Sequence, residues 1–256
     1  MSLAKADPKP PPLLAHTVCD KNILHLLRCA HPEVCTRYAM RAFYVDNGPD
    51  DRARYVATNG KALAMFTRGL PCPQPAVGFA TPLKPFTADA VSVRDLFKGA
   101  KTGETRDLSD ATPLEGRFPP YLQVLPKDTD KTHARCSVVS TSALRLALKS
   151  VVAFRGKSLA SAVFKVSPSG CDITLRVPEV GNLEMHTYAL DLEGQTAEAG
   201  FDPALMLDCL EAVRATGCGA TPETLKLEWP LDGGPMIIRH NGPNGDIVVI
   251  LMPVLL

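Results

Sequence analysis

The apolar positions of the chain follow two periodicities in turn. Four segments place apolar residues at a spacing near 3.6 and carry helix start signals. Each is followed by stretches with a spacing of two or by short apolar runs. The pattern therefore predicts four short amphipathic helices, each followed by strands. These helices are DKNILHLLRCA with Asp20 as N-cap, TADAVSVRDLFKGA with Thr87, STSALRLALKSVV with Ser140 or Thr141, and FDPALMLDCLEAV with Asp202.

The strand pattern is clearest around two turns. Asn59 and Gly60 lie between two strand-like runs, and Pro243, Asn244 and Gly245 lie between two others, so both junctions have the chemistry of β-hairpins. The last run contains a proline that cannot donate to a ladder, so that strand should leave its sheet about there. The predicted strands are RAFYVD, ARYVATNG, KALAMFT, SAVFKVS, DITLRV, LKLEWP, PMIIRH and DIVVILMPVLL.

The helix starts are spaced like an internal repeat, near residues 20, 88, 141 and 203 and thus roughly 60 residues apart. One helix cannot cover a closed core, so the units are expected to pair into domains. The predicted fold class is α+β, with two domains of two helix-plus-strands repeats each. The predicted boundaries are a proline-rich arm at 1–13, a first domain at 14–126 and a second at 127–256, with KDTDKT as a polar linker.

Composition changes this interpretation little. The chain has 256 residues, 45% hydrophobic and 21% charged, with a net charge of +1, so any basic surface must be local. No apolar stretch reaches the roughly 18 residues of a membrane span, and the start does not resemble a signal peptide. The eight cysteines include no C-x-x-C pair and are expected to be reduced, which predicts a cytoplasmic protein.

Catalytic and metal-binding patterns are missing from the sequence. It contains no G-x-S-x-G, no Walker loop and no H-E-x-x-H, and its acid pairs have the character of loop residues. Cys29, His31 and Cys35 form the densest group of metal-ligand types, but their spacing is not that of a zinc finger. We therefore predict no enzymatic activity, no metal and no cofactor.

Four stretches resemble the beta subunit of bacterial DNA polymerase III, the replicative sliding clamp. Their order and spacing agree with that family over about 200 residues. The resemblance covers roughly residues 14–256 and corresponds to the family's middle and last domains, with no counterpart here of its first domain. VATNGKALA resembles the family's V-A-T-D-G-H-R-L-A hairpin, EGRFPPYLQVLP its D-G-R-F-P-D-Y-x-x-V-L-P, AGFDPALMLDCLEAV its I-G-F-N-x-x-Y-L-x-D-x-L, and the end LMPVLL its V-M-P-M-R-L.

The resemblance implies a DNA-clamp fold with two processivity-fold domains and a ring that slides on duplex DNA. Rings of this family contain six domains, so two domains per chain predict a homotrimer. Inward-facing helices should carry cations for phosphates, without reading base sequence. For each such cation the alternative is an ordinary solvated helix face. The predicted DNA-binding residues are Lys21, Arg28, Arg94, Lys98, Arg145 and Lys149.

The resemblance also implies a pocket where polymerases and repair proteins dock a short peptide. The alternative is that its apolar members, such as Leu63 and Val124, are ordinary core. Lys61 and Ala62 stand where the family has His-Arg, and Leu255 where it has Arg, so the rim is expected to be less polar. The predicted peptide-binding residues are Met40, Thr58, Gly60, Leu63, Pro119, Val124, Leu205, Met252, Pro253, Val254 and Leu256.

Two functions remain open at this point. The first is a processivity clamp that encircles DNA, with DNA polymerase, other peptide-bearing proteins and a clamp loader as partners. The second is a clamp-like decoy or scaffold that binds the same peptides without encircling DNA. The basic helices and the apolar C-terminus favour the first. The second is favoured by the missing counterpart of the family's first domain and by the stretch between Ala100 and Glu115, which is shorter than the family's pattern. A metal-dependent enzyme on an unrelated α+β fold is the third, weakest alternative.

Overall fold

The computed structural model describes residues 18–30, 41–48, 52–69, 84–101, 103–125, 133–154, 161–167, 170–177, 181–187, 189–193, 197–216, 222–230 and 234–254. The proline-rich arm, the boundary at 126–127 and two predicted site residues, Met40 and Leu256, lie outside these ranges. The division into two domains therefore stays a prediction.

All four predicted helices are present. Asp20 and Asp202 cap theirs as expected, because their Oδ1 atoms accept the backbone N–H groups of Asn22 and Ala204, each at 2.8 Å. The helices are a 3-10 helix at Lys21–Arg28, α1 at Ala90–Leu96, α2 at Thr141–Phe154 and α3 at Pro203–Val213, with further 3-10 turns at Leu108–Asp110, Tyr121–Val124 and Arg214–Thr216.

The predicted cap of α1 is wrong by two residues. Thr87 pairs with Tyr44 inside a strand, and the side chain of Asp89 accepts the N–H of Val91 at 3.1 Å instead. Threonine and aspartate are both good N-caps, so only the strand pairing decides between them.

The strands include all eight that the sequence predicts and several more. They are β1 (Val18–Asp20), β2 (Ala42–Asn47), β3 (Ala53–Thr58), β4 (Ala62–Arg68), β5 (Phe86–Asp89), β6 (Thr105–Asp107), β7 (His133–Val139), β8 (Ser161–Ser167), β9 (Gly170–Val177), β10 (Gly181–Thr187), β11 (Ala189–Glu193), β12 (Ala197–Phe201), β13 (Thr224–Pro230), β14 (Met236–Gly242) and β15 (Gly245–Leu251).

One long sheet joins the two halves of the chain. Within the described ranges its order is β11-β7-β13-β14-β15-β4-β3-β2-β5, beside a second sheet, β10-β9-β8-β12, and the pair β1-β6. The joint is the antiparallel pairing of β15 with β4, which runs from Gly245 opposite Arg68 to Leu251 opposite Ala62. The last strand therefore ends beside the hairpin that connects β3 to β4.

Both predicted hairpins are present, and each turn depends on a glycine. Gly60 has a φ of 82° in the β3–β4 turn, and Gly245 has a φ of 144° after the β14–β15 turn. A Cβ on Gly245 would lie 2.2 Å from the carbonyl oxygen of Thr67, so only glycine fits there.

The two faces of the long sheet are covered differently. Alternate residues of β3 and β4, such as Tyr55 and Ala64, belong to the main hydrophobic core. Residues of the helices, such as Leu148 of α2, belong to the same core. The residues between them, such as Val56 and Leu63, form a smaller cluster that also contains Phe118, Tyr121 and Ile250. A short segment after α1 therefore covers the sheet where β3, β4 and β15 meet.

In the ranges that the structure describes, no helix is long and apolar enough to cross a membrane. The same ranges contain no group of three or more His, Cys, Asp or Glu side chains that could hold a metal ion.

Candidate functional site

A groove of about 360 Å³ opens where three separate stretches of chain meet. One wall is the β3–β4 hairpin, the second is the segment 119–124, and the third is the end of β15. The volume lies in the range of small-ligand and peptide sites. The groove is lined by Thr58, Gly60, Lys61, Ala62, Leu63, Pro119, Pro120, Tyr121, Gln123, Val124, Ile250 and Met252.

The hairpin wall is fixed by its own side chains. The hydroxyl of Thr58 donates to the carbonyl oxygen of Ala62 at 2.8 Å and accepts the N–H of Gly60 at 3.1 Å. The side chain of Asn59 accepts the N–H groups of Lys61 and Ala62 at 2.9 and 2.7 Å. Side-chain oxygens thus satisfy the turn's backbone donors, which holds the turn in one conformation.

The second wall is anchored by Tyr121. Its hydroxyl accepts from Nη1 of Arg54 at 2.9 Å and donates to Oδ2 of Asp46 at 2.6 Å. Burial raises the pKa of Asp46, and the hydrogen bond from Tyr121 and the charge of Arg54 oppose that effect. Phe118 stacks on Tyr44 with ring centroids 4.8 Å apart, so the segment is held by both a polar and an aromatic contact.

Much of the apolar lining is open to solvent. Val124 and Met252, which line the groove, are 48% and 45% exposed. Large apolar side chains grouped around a groove are typical of a surface that binds a partner.

The groove brings together most of the predicted peptide-binding residues. Thr58, Gly60, Leu63, Pro119, Val124 and Met252 all line it. Sequence reasoning missed Pro120, Tyr121, Gln123 and Ile250, although each stands inside or beside a stretch that carries the resemblance. It placed Lys61 and Ala62 at the rim without counting them among the peptide-binding residues.

Three other predicted members lie elsewhere. Leu205 packs against the main core from α3, and Pro253 does not line the groove. Val254 continues past it, and its N–H donates to the carbonyl oxygen of Gly200 in β12 at 2.8 Å. Strand β15 ends at Leu251, close to Pro253, where the sequence predicts that it leaves the sheet.

The predicted DNA-binding residues of α2 converge on one carboxylate. Arg145 donates from Nε to Oε1 of Glu211 at 2.5 Å, and Arg214 donates from Nη1 to Oε2 at 2.8 Å. Nζ of Lys149 lies 4.0 Å from the same carboxylate. Burial of Glu211 acts to raise its pKa, but the hydrogen bonds from the two arginines outweigh it, so the pKa is lowered.

The cations near α1 divide into bound and exposed ones. Lys21 donates to the carbonyl oxygen of Ala100 at 3.2 Å, and Arg94 to that of Leu27 at 3.1 Å. These contacts tie α1 to the first 3-10 helix. Arg28 and Lys98 are exposed, so their charges face solvent.

Comparisons with known proteins agree with this architecture, although no family model matches the chain. The Beta sliding clamp of Caulobacter vibrioides (strain NA1000 / CB15N) is 27% identical over 191 residues, which is 68% of this chain and 49% of that protein. The Beta sliding clamp of Escherichia coli (strain K12) is 34% identical over 102 residues, 40% of this chain and 26% of that protein.

Solved structures extend the likeness to the whole chain. A DNA polymerase sliding clamp from Pseudomonas aeruginosa superimposes with a TM-score of 0.70 at 18% identity, covering 100% of this chain and 70% of that one. The chain is a homologue of the beta sliding clamps. The pol III beta of Caulobacter crescentus gives a TM-score of 0.66 at 21% identity, again over 100% of this chain and 70% of that one.

The sliding clamp family is non-enzymatic, in agreement with the prediction from sequence. The predicted α+β clamp fold is confirmed as well. The matched segment spans about half the length of the Caulobacter relative, 49%.

Proposed function

We propose that this clamp homologue docks extended peptide segments of DNA polymerases and related proteins in the groove. The proposal rests on the residues that line the groove. Six residues that the family resemblance implies as peptide contacts come from three distant stretches of chain and line one opening. Their convergence on one groove supports a shared role in binding.

The chemistry of the groove suits apolar anchors on an extended chain. Burying two large apolar side chains of a partner would contribute about 1.5–3 kcal/mol each. Ordering of the peptide and lost translational freedom offset part of that gain. The two anchors together give at most about 6 kcal/mol before these costs, so we expect a dissociation constant of about 0.1–1 mM.

We further propose that the helix surface contacts duplex DNA through phosphates, independently of sequence. Arg28, Lys98 and Lys149 present charge to solvent and would supply these contacts. Arg145 and Arg94 would orient neighbouring groups instead, because each already donates a hydrogen bond within the protein, whereas Lys149 lies 4.0 Å from Glu211 and its side chain is 47% exposed.

A ring of six clamp domains would take three copies of this 256-residue chain. The internal contacts of Arg145 and Arg94 favour the second candidate, a clamp-like scaffold that does not encircle DNA. Sedimentation separates the two candidates. A ring requires a species of three times the 27.5 kDa chain mass, whereas a strictly monomeric chain would support the scaffold.

The docking proposal is tested by fluorescence anisotropy with a labelled extended peptide that carries Leu and Phe anchors. We expect saturable binding in the range given above, and no binding of a matched peptide with both anchors replaced by Ala. Equal binding of the two peptides, or none at millimolar protein, would contradict the proposal.

A further inference from the structure

The described lining of the groove contains one cationic side chain and no anionic one. Among the twelve described residues that line it, Lys61 is the single side chain charged at neutral pH. The other lining groups are apolar, aromatic or uncharged. None of these twelve lining residues carries a carboxylate, so the charge of the described lining is positive.

The backbone of Lys61 is fixed on both sides while its side chain stays exposed. Its N–H donates to Oδ1 of Asn59 at 2.9 Å, and its carbonyl oxygen accepts the N–H of Met252 at 2.9 Å. Within the described residues, no carboxylate lies at ion-pair distance from its ammonium group. Among the described residues this ammonium group therefore has no carboxylate partner, and the backbone that carries it is fixed beside Met252.

We propose that Lys61 is a specificity-determining residue that selects a partner peptide with an Asp or Glu next to the apolar anchor on Met252. This inference rests on the proposed peptide docking and names the chemistry of its partner. An acidic side chain there complements the charge of Lys61 at the rim of an apolar, partly desolvated surface. A basic or uncharged peptide of the same shape leaves the ammonium unpaired.

The test uses a series of peptides with Leu and Phe anchors, in which Asp or its uncharged isostere Asn occupies each position beside and between the anchors. At one position, Asp should bind about three- to five-fold more tightly than Asn, the range of a partly exposed ion pair. The difference should disappear near 1 M salt, where the screening length falls to about 3 Å.

Variants of the protein separate charge from shape. Lys61→Gln should bind the Asp and Asn peptides equally, with the affinity that the native protein has for Asn. Lys61→Glu should reverse the order and prefer a Lys peptide. The matched control is Lys165→Gln, an exposed lysine on β8 outside the groove, which should keep the preference for Asp.

The outcomes distinguish this inference from the docking proposal. If all peptides bind but Asp and Asn are equal at every position, the role of Lys61 is wrong and docking stands. The same holds if Lys61→Gln keeps the preference for Asp. If no peptide of the series binds, both proposals are wrong.

Discussion

The backbone N–H of Met252 donates to the carbonyl oxygen of Lys61 at 2.9 Å, one residue past the end of β15. The two residues are far apart in sequence and belong to the two predicted domains. Their contact extends the β15–β4 ladder to the hairpin turn, so the end of the last strand and the turn form one rigid corner. That corner fixes the spacing between two walls of the groove.

Truncating the open lining should weaken peptide binding without unfolding the protein. Val124→Ala and Met252→Ala each remove apolar surface that a peptide would bury, so we expect losses of about five- to ten-fold in affinity. Both side chains are nearly half exposed, so stability should change by less than about 0.5 kcal/mol. Anisotropy and urea denaturation measure the two quantities.

Leu183→Ala is the matched control for these variants. Leu183 is 44% exposed on β10, outside the groove lining. Its truncation should leave peptide affinity unchanged. If it weakens binding as much as Val124→Ala does, the groove is not the docking surface.

Removing the hydroxyl of Tyr121 should destabilise the fold. Tyr121→Phe leaves Arg54 and Asp46 without their shared partner in a buried place, which costs about 1–3 kcal/mol. The matched control is Tyr44→Phe in the same aromatic group, because the Tyr44 hydroxyl has no hydrogen bond within the described residues. Equal free energies of unfolding for the two variants would rule out the anchoring role of Tyr121.

Glu211 should make stability depend on pH in the acid range. The pKa of Glu211 in the folded protein is lowered below the ordinary 4.5. The contribution of this carboxylate to the free energy of unfolding is therefore complete above pH 4.5, and it is lost as pH falls through the lower pKa of the folded state. Glu211→Gln leaves Arg145 and Arg214 without a carboxylate and should cost about 1–3 kcal/mol at neutral pH.

The difference in unfolding free energy between native protein and Glu211→Gln should therefore shrink as the solution is acidified below pH 4.5. Denaturation series at several pH values measure it. Glu198→Gln, at an exposed carboxylate on β12, is the control and should differ little from the native protein. If the difference in unfolding free energy between native protein and Glu211→Gln does not change with pH, the ionised carboxylate of Glu211 is not what stabilises the fold.

The DNA proposal predicts a specific change in salt dependence. Each lost phosphate contact lowers the slope of log affinity against log salt by about 0.9. Arg28→Gln with Lys98→Gln should therefore flatten the slope, because both side chains are exposed, Arg28 at the last residue of the first 3-10 helix and Lys98 two residues after α1. Lys165→Gln with Arg176→Gln, on strands β8 and β9, provides a charge-matched control. Equal slopes for the two double variants would show that the helix charges are merely solvated.

The sequence was sufficient for elements whose signals are local. Asn59 and Gly60, for example, predict their hairpin from turn chemistry alone, and Asp202 predicts the start of α3. Strand β10, GNLEMHT, was missed because it lies at the edge of its sheet, where polar residues and the exposed Leu183 break the apolar pattern.

The groove was only partly predictable for a related reason. Its motif residues were identified by resemblance, but the anchoring of Tyr121 depends on partners 75 and 67 residues away in sequence, Asp46 and Arg54. Likewise, the sequence pattern of α2 predicts that Arg145 is free to bind phosphate. Its hydrogen-bond partner, Glu211, lies 66 residues further along the chain. Contacts of this kind follow from the tertiary fold and leave no local pattern.

Amide hydrogen exchange with and without a bound Leu/Phe peptide locates the docking surface on the protein. If the peptide occupies the groove, exchange should slow together in residues 58–63, 121–124 and 250–252, and remain unchanged on the exposed faces of α1 and α2. Slowing confined to the helices, or binding without slowing in these three segments, would place the docking surface outside the groove.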